Sequence, residues 1–434
     1  VTRRLESAYT LQQWKQLEKD VFGTVTIEGV KYEPGAALTT LKSSTRECTL
    51  SPIASLCIAI MNVCAAVPPG TTFNAGLGPG SLNQILVLVG GPGAHKDRHA
   101  SQVANALKIT HDDIPVEIRR HSPGSGEGLV AAITPNKDQQ TAPPTVFGAS
   151  EVGTLAALMG RTGSTLRGTL LSMYSGNALG FTNKSESTYI PENSYTVGVW
   201  VGMQPDRSDE LFSGKDDGLA HRLLTVEPLD PQLEDVEDGK EFSTKALDLS
   251  PVSLSRTLAE TGVTFPDQVV KETVSAARDT LKYGPAKDNN GHRNQTRLKL
   301  AAGIALLSSK AEVSLGDWHR AGALMDYSDA VRERCIAHLQ AQEIAAGVEK
   351  RQKEDSINAK LERDRLKKAE TLIMDSLAHE EPVKRSALRD KARRFRSEFD
   401  EILTGLISDK IVTSDKQDWL RQGPRFPTKL KQAS

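Results

Sequence analysis

SLNQILVLVGGPGAHKDRHASQVANAL, residues 81–107, decides the fold. Ile85 to Val89 is an unbroken run of β-branched and apolar residues, as expected of a strand covered on both faces. It breaks into Gly90-Gly91-Pro92-Gly93, and the polar, Ala-containing stretch that follows reads as a helix. Strand, glycine turn, helix is the order that presents backbone N–H groups and a helix N-terminus to an anion. Downstream, VEIRR (116–120), TVFGA (145–149) and YTVGVWVGM (195–203) are further apolar strands separated by helical segments. That alternation predicts an α/β fold with a largely parallel sheet.

Upstream, TLQQWKQLEKDVF sets Leu11, Trp14, Leu17 and Val21 on one helical face, and TVTIEGVKYEP alternates like a small hairpin. Residues 52–67 form an apolar helix, whose Cys57 and Cys64 read as core packing. Residues 206–250 are acidic and loop-like, 295–345 helical, and 343–370 charged on nearly every side, a long solvated helix or linker. The predicted organisation is an N-terminal helical region (1–67), an α/β core (68–250), a helical extension (251–345), a charged linker (346–370) and a small C-terminal unit (371–425).

The chain has 434 residues with 54 Lys+Arg against 55 Asp+Glu, so any nucleic-acid surface must be local rather than a global basic coat. Its four cysteines, without a C-x-x-C pair, argue against a zinc ribbon or a disulfide framework and fit a reducing compartment. The longest apolar run, Ile53–Val67, is too short to span a bilayer, and the polar opening VTRRLESAY has no signal-peptide pattern. A cytoplasmic protein with no membrane partner is expected.

A P-loop reads G-x-x-x-x-G-K-[ST]. Here Gly90 and Lys96 are in register, but His95 replaces the second glycine and Asp97 stands where Ser or Thr belongs. A nest tolerates a Cβ at position 95 if its φ is negative, and Asp97 offers a carboxylate to Mg²⁺. The bland reading is a tight strand–helix turn with a surface lysine. His95 and His99 read as solvent-facing.

The wider pattern resembles the RecA-like ATPases of phage and mobile-element primase–helicase proteins. It rests on the SLN-strand-glycine-turn start, HSPGSGEGLVAAI (121–133), the stretch from TVFGASE through RTGSTL to YSG (145–176), YTVGVWVGMQP with DDGLAHRLLTVEP, and GHRNQTRLKL through GDWHRAG. The resemblance implies a RecA-like P-loop core and a helicase-like ATPase of DNA replication, working as a ring-like homo-oligomer such as a hexamer, with ATP and Mg²⁺. It assigns Gly90, Gly93, Lys96 and Asp97 to the nucleotide, and Glu151 with Asp97 to the metal. Glu127 would polarise the attacking water, Gln204 would sense the γ-phosphate, and Arg222 would serve as a finger for a neighbouring subunit. The alternatives are a helix-capping Glu127, a first-turn acid at Glu151, a turn residue at Gln204, and an Arg222 paired with Asp216 and Asp217.

KRSALRDKARRFRSEF (384–399) resembles the second and third helices of a winged-helix domain. Lys384, Arg385, Arg389, Arg393, Arg394 and Arg396 are then candidates for DNA phosphates; the alternative is a solvated charged face. The departures at His95 and Asp97 leave a second hypothesis: a catalytically weak or inactive DNA-binding replication protein on the same fold.

Overall fold

The structure, a computed structural model, describes residues 7–136, 139–182, 187–212, 218–233, 245–284, 291–378 and 381–427. The chain divides into two compact units, Val1–Gln340 and Ala341–Ser434.

In the first unit, α1 (Leu11–Phe22) starts at a Thr10 capping box and buries Trp14, Leu17 and Val21, the residues set on one face by the sequence. A hairpin of Val25–Ile27 with Val30–Tyr32 leads to α2 (Gly35–Glu47). Helix α3 (Pro52–Ala66), capped by Ser51 with Pro52 in the first turn, is buried along its whole length. An apolar helix without a polar face must be covered on all sides, and α3 is covered by the sheet, α2 and later helices.

The sheet has five strands, all parallel: β1 (Gln84–Val89), β2 (Arg119–His121), β3 (Thr145–Ala149), β4 (Val197–Met203) and β5 (Leu223–Val226), in the spatial order β5-β1-β4-β3-β2. The α/β fold with a parallel sheet is thus present. Strand β2 is shorter than VEIRR suggested. Ile114–Pro115 instead pairs with Ile109–His111 in a separate small sheet, and the chain joins the main sheet only at Arg119. Helices α4 (Lys96–Ala106), α5 (Gly126–Ile133), α6 (Val152–Met159) and α7 (Leu166–Ser175) fill the crossovers. Then come α8 (Asp267–Tyr283), α9 (Gly291–Leu307), which packs on α3, and α10 (Leu315–Leu377).

Register decides what meets at the C-terminal edge. Val89 pairs with Met203 and Ala149 with Val201, so Gly90 and Gln204 leave the sheet at one level, and Glu151 stands level with Met203. Neighbouring strands are about 4.8 Å apart, so these groups lie side by side at the ends of three adjacent strands.

The second unit holds the remainder of α10, exposed over 343–365, then α11 (Arg385–Lys391), a 3₁₀ turn (Arg393–Phe395) and α12 (Phe399–Ser408). Strands β6 (Val383–Lys384), β7 (Val412–Ser414) and β8 (Trp419–Gln422) form an antiparallel sheet in the order β6-β8-β7. Its own core is built on Ile373, Leu377, Leu388, Phe399, Leu403 and Leu420. Among the described residues, no helix is long and apolar enough to cross a membrane.

Candidate functional site

The glycine turn joins β1 to α4. Gly90 N–H donates to Met203 O at 2.9 Å, tying the turn to the end of β4. Gly93 takes φ +80° and His95, the N-cap of α4, takes φ +54° and ψ +32°. The condition that a non-glycine at 95 keep a negative φ is therefore not met. His95 occupies the left-handed region that glycine enters freely, at a cost of about 1–2 kcal/mol. A Cβ built on Gly91 or Gly93 meets nothing within 4 Å, and no side chain caps the first turn of α4. The backbone donors at this helix N-terminus are therefore open to an anion, so the turn fits a phosphate.

Lys96 is only 7% exposed; its Nζ donates to Gly90 O at 2.9 Å and Gly91 O at 3.4 Å. The stem crosses β4 at Gly202, where a Cβ would come within 3.2 Å of Lys96 Cε and 2.1 Å of Ser150 O. Any larger residue at 202 would push both the lysine and the end of β3 away. Asp97 is exposed in the first turn of α4, a place where its carboxylate favours the helix dipole but competes with a bound anion.

His99 corrects an expectation: it is buried, not solvent-facing. Its Nε2 accepts the Ser51 N–H at 2.9 Å, so Nδ1 carries the proton and donates to His95 O at 2.9 Å. Burial holds its pKa below the usual value. With Arg98, which donates to Cys48 O at 2.6 Å, it anchors the start of α4 to the loop before α3.

Glu151 is the exposed N-cap of α6 and its carboxylate accepts from Gln204 Nε2 at 3.5 Å. Two residues singled out 53 positions apart thus meet at the ends of β3 and β4. Glu127 lies in the first turn of α5, the helix that follows the edge strand β2, itself the neighbour of β3. Thr165 Oγ1 donates to it at 3.0 Å, which joins the SGEG and RTGSTL segments. Hydrogen bonds from its own backbone N–H and from Thr165 hold the carboxyl below its usual range, so it is ionised at neutral pH. No group of three or more His, Cys, Asp or Glu side chains able to hold a metal gathers among the described residues. A Mg²⁺ ion commonly takes one or two carboxylates and completes its shell with phosphate and water, and Asp97 and Glu151 offer oxygens of that kind.

Arg222 lies apart from the glycine turn of its own chain. It ends a 3₁₀ turn immediately before β5, and parallel strands put that start at the opposite edge of the sheet from the glycine turn. Its guanidinium turns inward, donating to Gly218 O at 2.9 Å and lying 5.9 Å from the Tyr174 ring centroid. Asp216 and Asp217, its alternative partners, lie outside the described residues.

At this N-terminal edge the structure gathers residues the sequence reading gave no role. Lys299 of α9 is fully buried, and its Nζ donates to Asn83 O at 2.7 Å and to Tyr174 O, 3.4 Å from the Tyr174 ring centroid. Asn83 Oδ1 accepts from Val197 N–H and its Nδ2 donates to Met173 O, each at 2.8 Å. Tyr174 Oη shares a 2.6 Å hydrogen bond with Thr296. The SLN, YSG and TRLK motifs are therefore one buried polar knot. Their separation along the chain hid it; their joint appearance in one pattern was the available signal.

In the second unit, Arg385 and Arg389 both pair with Asp400, each at 2.9 Å, and Lys384 lies 5.5 Å from the Trp419 ring centroid. Lys391, Arg393, Arg394 and Arg396 are exposed. The stretch KRSALRDKARRFRSEF covers α11 and the 3₁₀ turn, not two full helices; the next helix, α12, is FDEILTGLIS, with Asp400 and Glu401 and no cation. In both units the candidate groups are fixed by strand register and neighbouring helices, and comparison with known protein families and with curated proteins gave no match for the chain.

Proposed function

We propose that the chain is an ATP-dependent, helicase-like ATPase acting on DNA in replication, built on a RecA-like P-loop core with a C-terminal winged-helix unit. One observation carries the reading. The glycine turn with Lys96, the Glu151 carboxylate and the Gln204 amide stand at the C-terminal ends of three adjacent parallel strands. Ligands of open α/β sheets bind at that edge, where the connections diverge. Here β1 is followed in the chain by the far-edge strand β2, while β5 returns to its other side.

In this reading the turn from Gly90 to Gly93 and the first N–H groups of α4 hold the phosphates. The Lys96 ammonium exchanges the Gly90 and Gly91 carbonyls for phosphate oxygens. Asp97 and Glu151 would hold Mg²⁺, which supplies charge neutralisation between phosphate oxygens when bound. Gln204, already turned to Glu151, reports on the terminal phosphate, and the ionised Glu127 accepts a proton from water. Hydrolysis then depends on positioning and fixed charge, with no covalent intermediate. The three-stranded sheet packed on α11 and α12 supports the winged-helix reading of the second unit, with DNA as its partner. Self-association into a ring is part of the proposal.

The test is ATP hydrolysis by the full chain with Mg²⁺, with and without DNA, beside Lys96→Ala and Glu127→Ala. The expected result is turnover that DNA stimulates and both substitutions abolish. A second reading, a DNA-binding replication protein that does not hydrolyse ATP, is favoured by Asp97 in the first turn of α4 and by the inward Arg222. Wild-type protein that binds DNA without turnover would establish it instead.

A further inference from the structure

We infer that the second unit grips duplex DNA through its phosphate backbone, using the turn between α11 and α12 and the lysine-lined groove beside it, and not by inserting α12 into the major groove. This rests on the reading that the unit binds DNA. It names the surface and the mode, both of which differ from a helix-turn-helix docking, where the helix after the turn reads base edges.

The first argument is charge. Helix α12 begins with Asp400 and Glu401 and carries no cation. Its solvent-facing Glu401, Thr404 and Gly405 offer nothing to a polyanion, and the Glu401 carboxylate would be repelled by one. Asp400 pairs with both Arg385 and Arg389, two of the residues first assigned to DNA, and its one carboxylate offsets one of their two charges. Lys384 lies over the Trp419 ring, and Lys391, Arg393, Arg394 and Arg396 remain. All four are exposed, and among the described residues none of their side chains forms an ion pair.

The second argument is geometry. The turn is held from behind: Ala392 is 1% exposed in the unit's core, and Arg365 of α10 donates to Arg394 O at 3.3 Å and pairs with Glu398 at 2.9 Å. Its backbone is pinned while its side chains point to solvent. Beside it lies an open groove of about 830 Å³, with Lys367 and Lys368 of α10 on one wall and Lys391 on the other. Asp364 and Asp375 also line it, so the groove alone is nearly balanced; the arginines of the adjoining turn make the surface cationic. Arginine forks on a fixed backbone suit phosphates spaced along a strand.

Duplex is favoured over single-stranded DNA because single strands are held by stacking bases on aromatic rings. The nearest rings, Phe395 and Trp419, are half-buried, and Trp419 lies beneath the Lys384 ammonium. Such a grip reads no sequence.

The experiment is binding of the full chain to two duplexes of unrelated sequence, titrated with salt. Wild type should bind both with equal affinity and with one log–log salt slope. Replacing Lys391, Arg393, Arg394 and Arg396 together by Ala should weaken both at least about tenfold and flatten the slope by about 3.6, since each lost phosphate contact removes about 0.9. Glu401→Ala with Thr404→Ala should leave binding intact or tighten it. All six positions are exposed, and an unchanged melting temperature checks that each variant is folded. If the quadruple variant binds as wild type does, or if the α12 variant weakens binding to one duplex selectively, the proposed mode is overturned while the DNA reading stands. If single strands compete better than duplex, the duplex grip is overturned. If wild type binds no DNA, the DNA reading itself fails and the mode with it.

Discussion

Lys96 and Lys299 cap the two ends of one strand. Each gives its ammonium to the backbone carbonyl that adjoins β1, Gly90 O on the C-terminal side and Asn83 O on the N-terminal side. The similarity stops there. Around Lys96 lie a glycine turn with open space at Gly91 and Gly93, an uncapped helix start and the exposed carboxylates of Asp97 and Glu151. Around Lys299 lie Asn83, Tyr174, Thr296 and Gln84, all buried, with their polar atoms engaged across β1, β4, α7 and α9. Burial forces the Lys299 ammonium well below its usual pKa. A lysine resting on loop carbonyls can trade them for phosphate oxygens at little cost. One whose departure would orphan two buried carbonyls cannot move. The polar groups of one edge are open to a ligand, and those of the other are closed over by one another.

The sharpest way to break that comparison is to remove each lysine. Lys299→Ala leaves the Asn83 and Tyr174 carbonyls without a donor and opens a cavity, and should cost about 3 kcal/mol or more of folding stability by denaturant titration. Lys96→Ala should cost about 1–2 kcal/mol in the same titration, from the lost packing of its buried stem, because the carbonyls it leaves lie on a half-exposed loop. Equal losses for the two would remove the distinction between the edges.

The structure also explains what the sequence could and could not reveal. Strands β1, β3 and β4 were legible because central strands of a parallel sheet are covered on both faces and read as unbroken apolar runs. Glu151 and Gln204 were legible as strand-end residues because each follows such a run; that their strands are neighbours emerged only with the sheet order. Lys299 was not. It sits in the apolar run RLKLAAG, and its main partners are backbone carbonyls, which leave no trace in side-chain identity. The Asp400 pairing with Arg385 and Arg389 was hidden for a different reason. A run rich in cations looks uncompensated until the next helix folds back on it. Arg222 could have been placed: a residue just before a parallel strand is at the edge opposite the glycine turn, whatever motif it resembles.

A smaller effect concerns pH. His99 supports the start of α4 only as a neutral ring, with Nε2 accepting from Ser51 and Nδ1 donating to His95. Burial depresses its folded-state pKa, and does the same for His111 and His292. The unfolded chain therefore binds more protons than the folded one once pH falls below about 6.5, and stability declines there and levels off below the folded-state values. His99→Gln should make that decline shallower, and most clearly so if His111 and His292 are each replaced in a companion variant. A pH profile identical to wild type would mean that His99 titrates alike in both states, and that the glycine turn is not braced through it.

The smallest effect tests the turn itself. His95 holds a left-handed backbone that costs a non-glycine residue about 1–2 kcal/mol, while glycine gives back part of that gain through its freer unfolded chain. His95→Gly should therefore raise stability by about 0.5–1 kcal/mol. The imidazole is exposed, so its loss removes no buried contact, and the His95 carbonyl that receives the His99 proton belongs to the backbone and survives the change. The substitution also restores the second glycine of the phosphate-binding pattern, one position before Lys96. If the exposed edge is built to exchange partners, affinity for ATP should hold or rise as stability rises. If instead stability rises and ATP affinity falls, the ring itself contacts the ligand, and His95 is a binding residue rather than a tolerated departure. Either result separates the cost of the turn's shape from the use made of it.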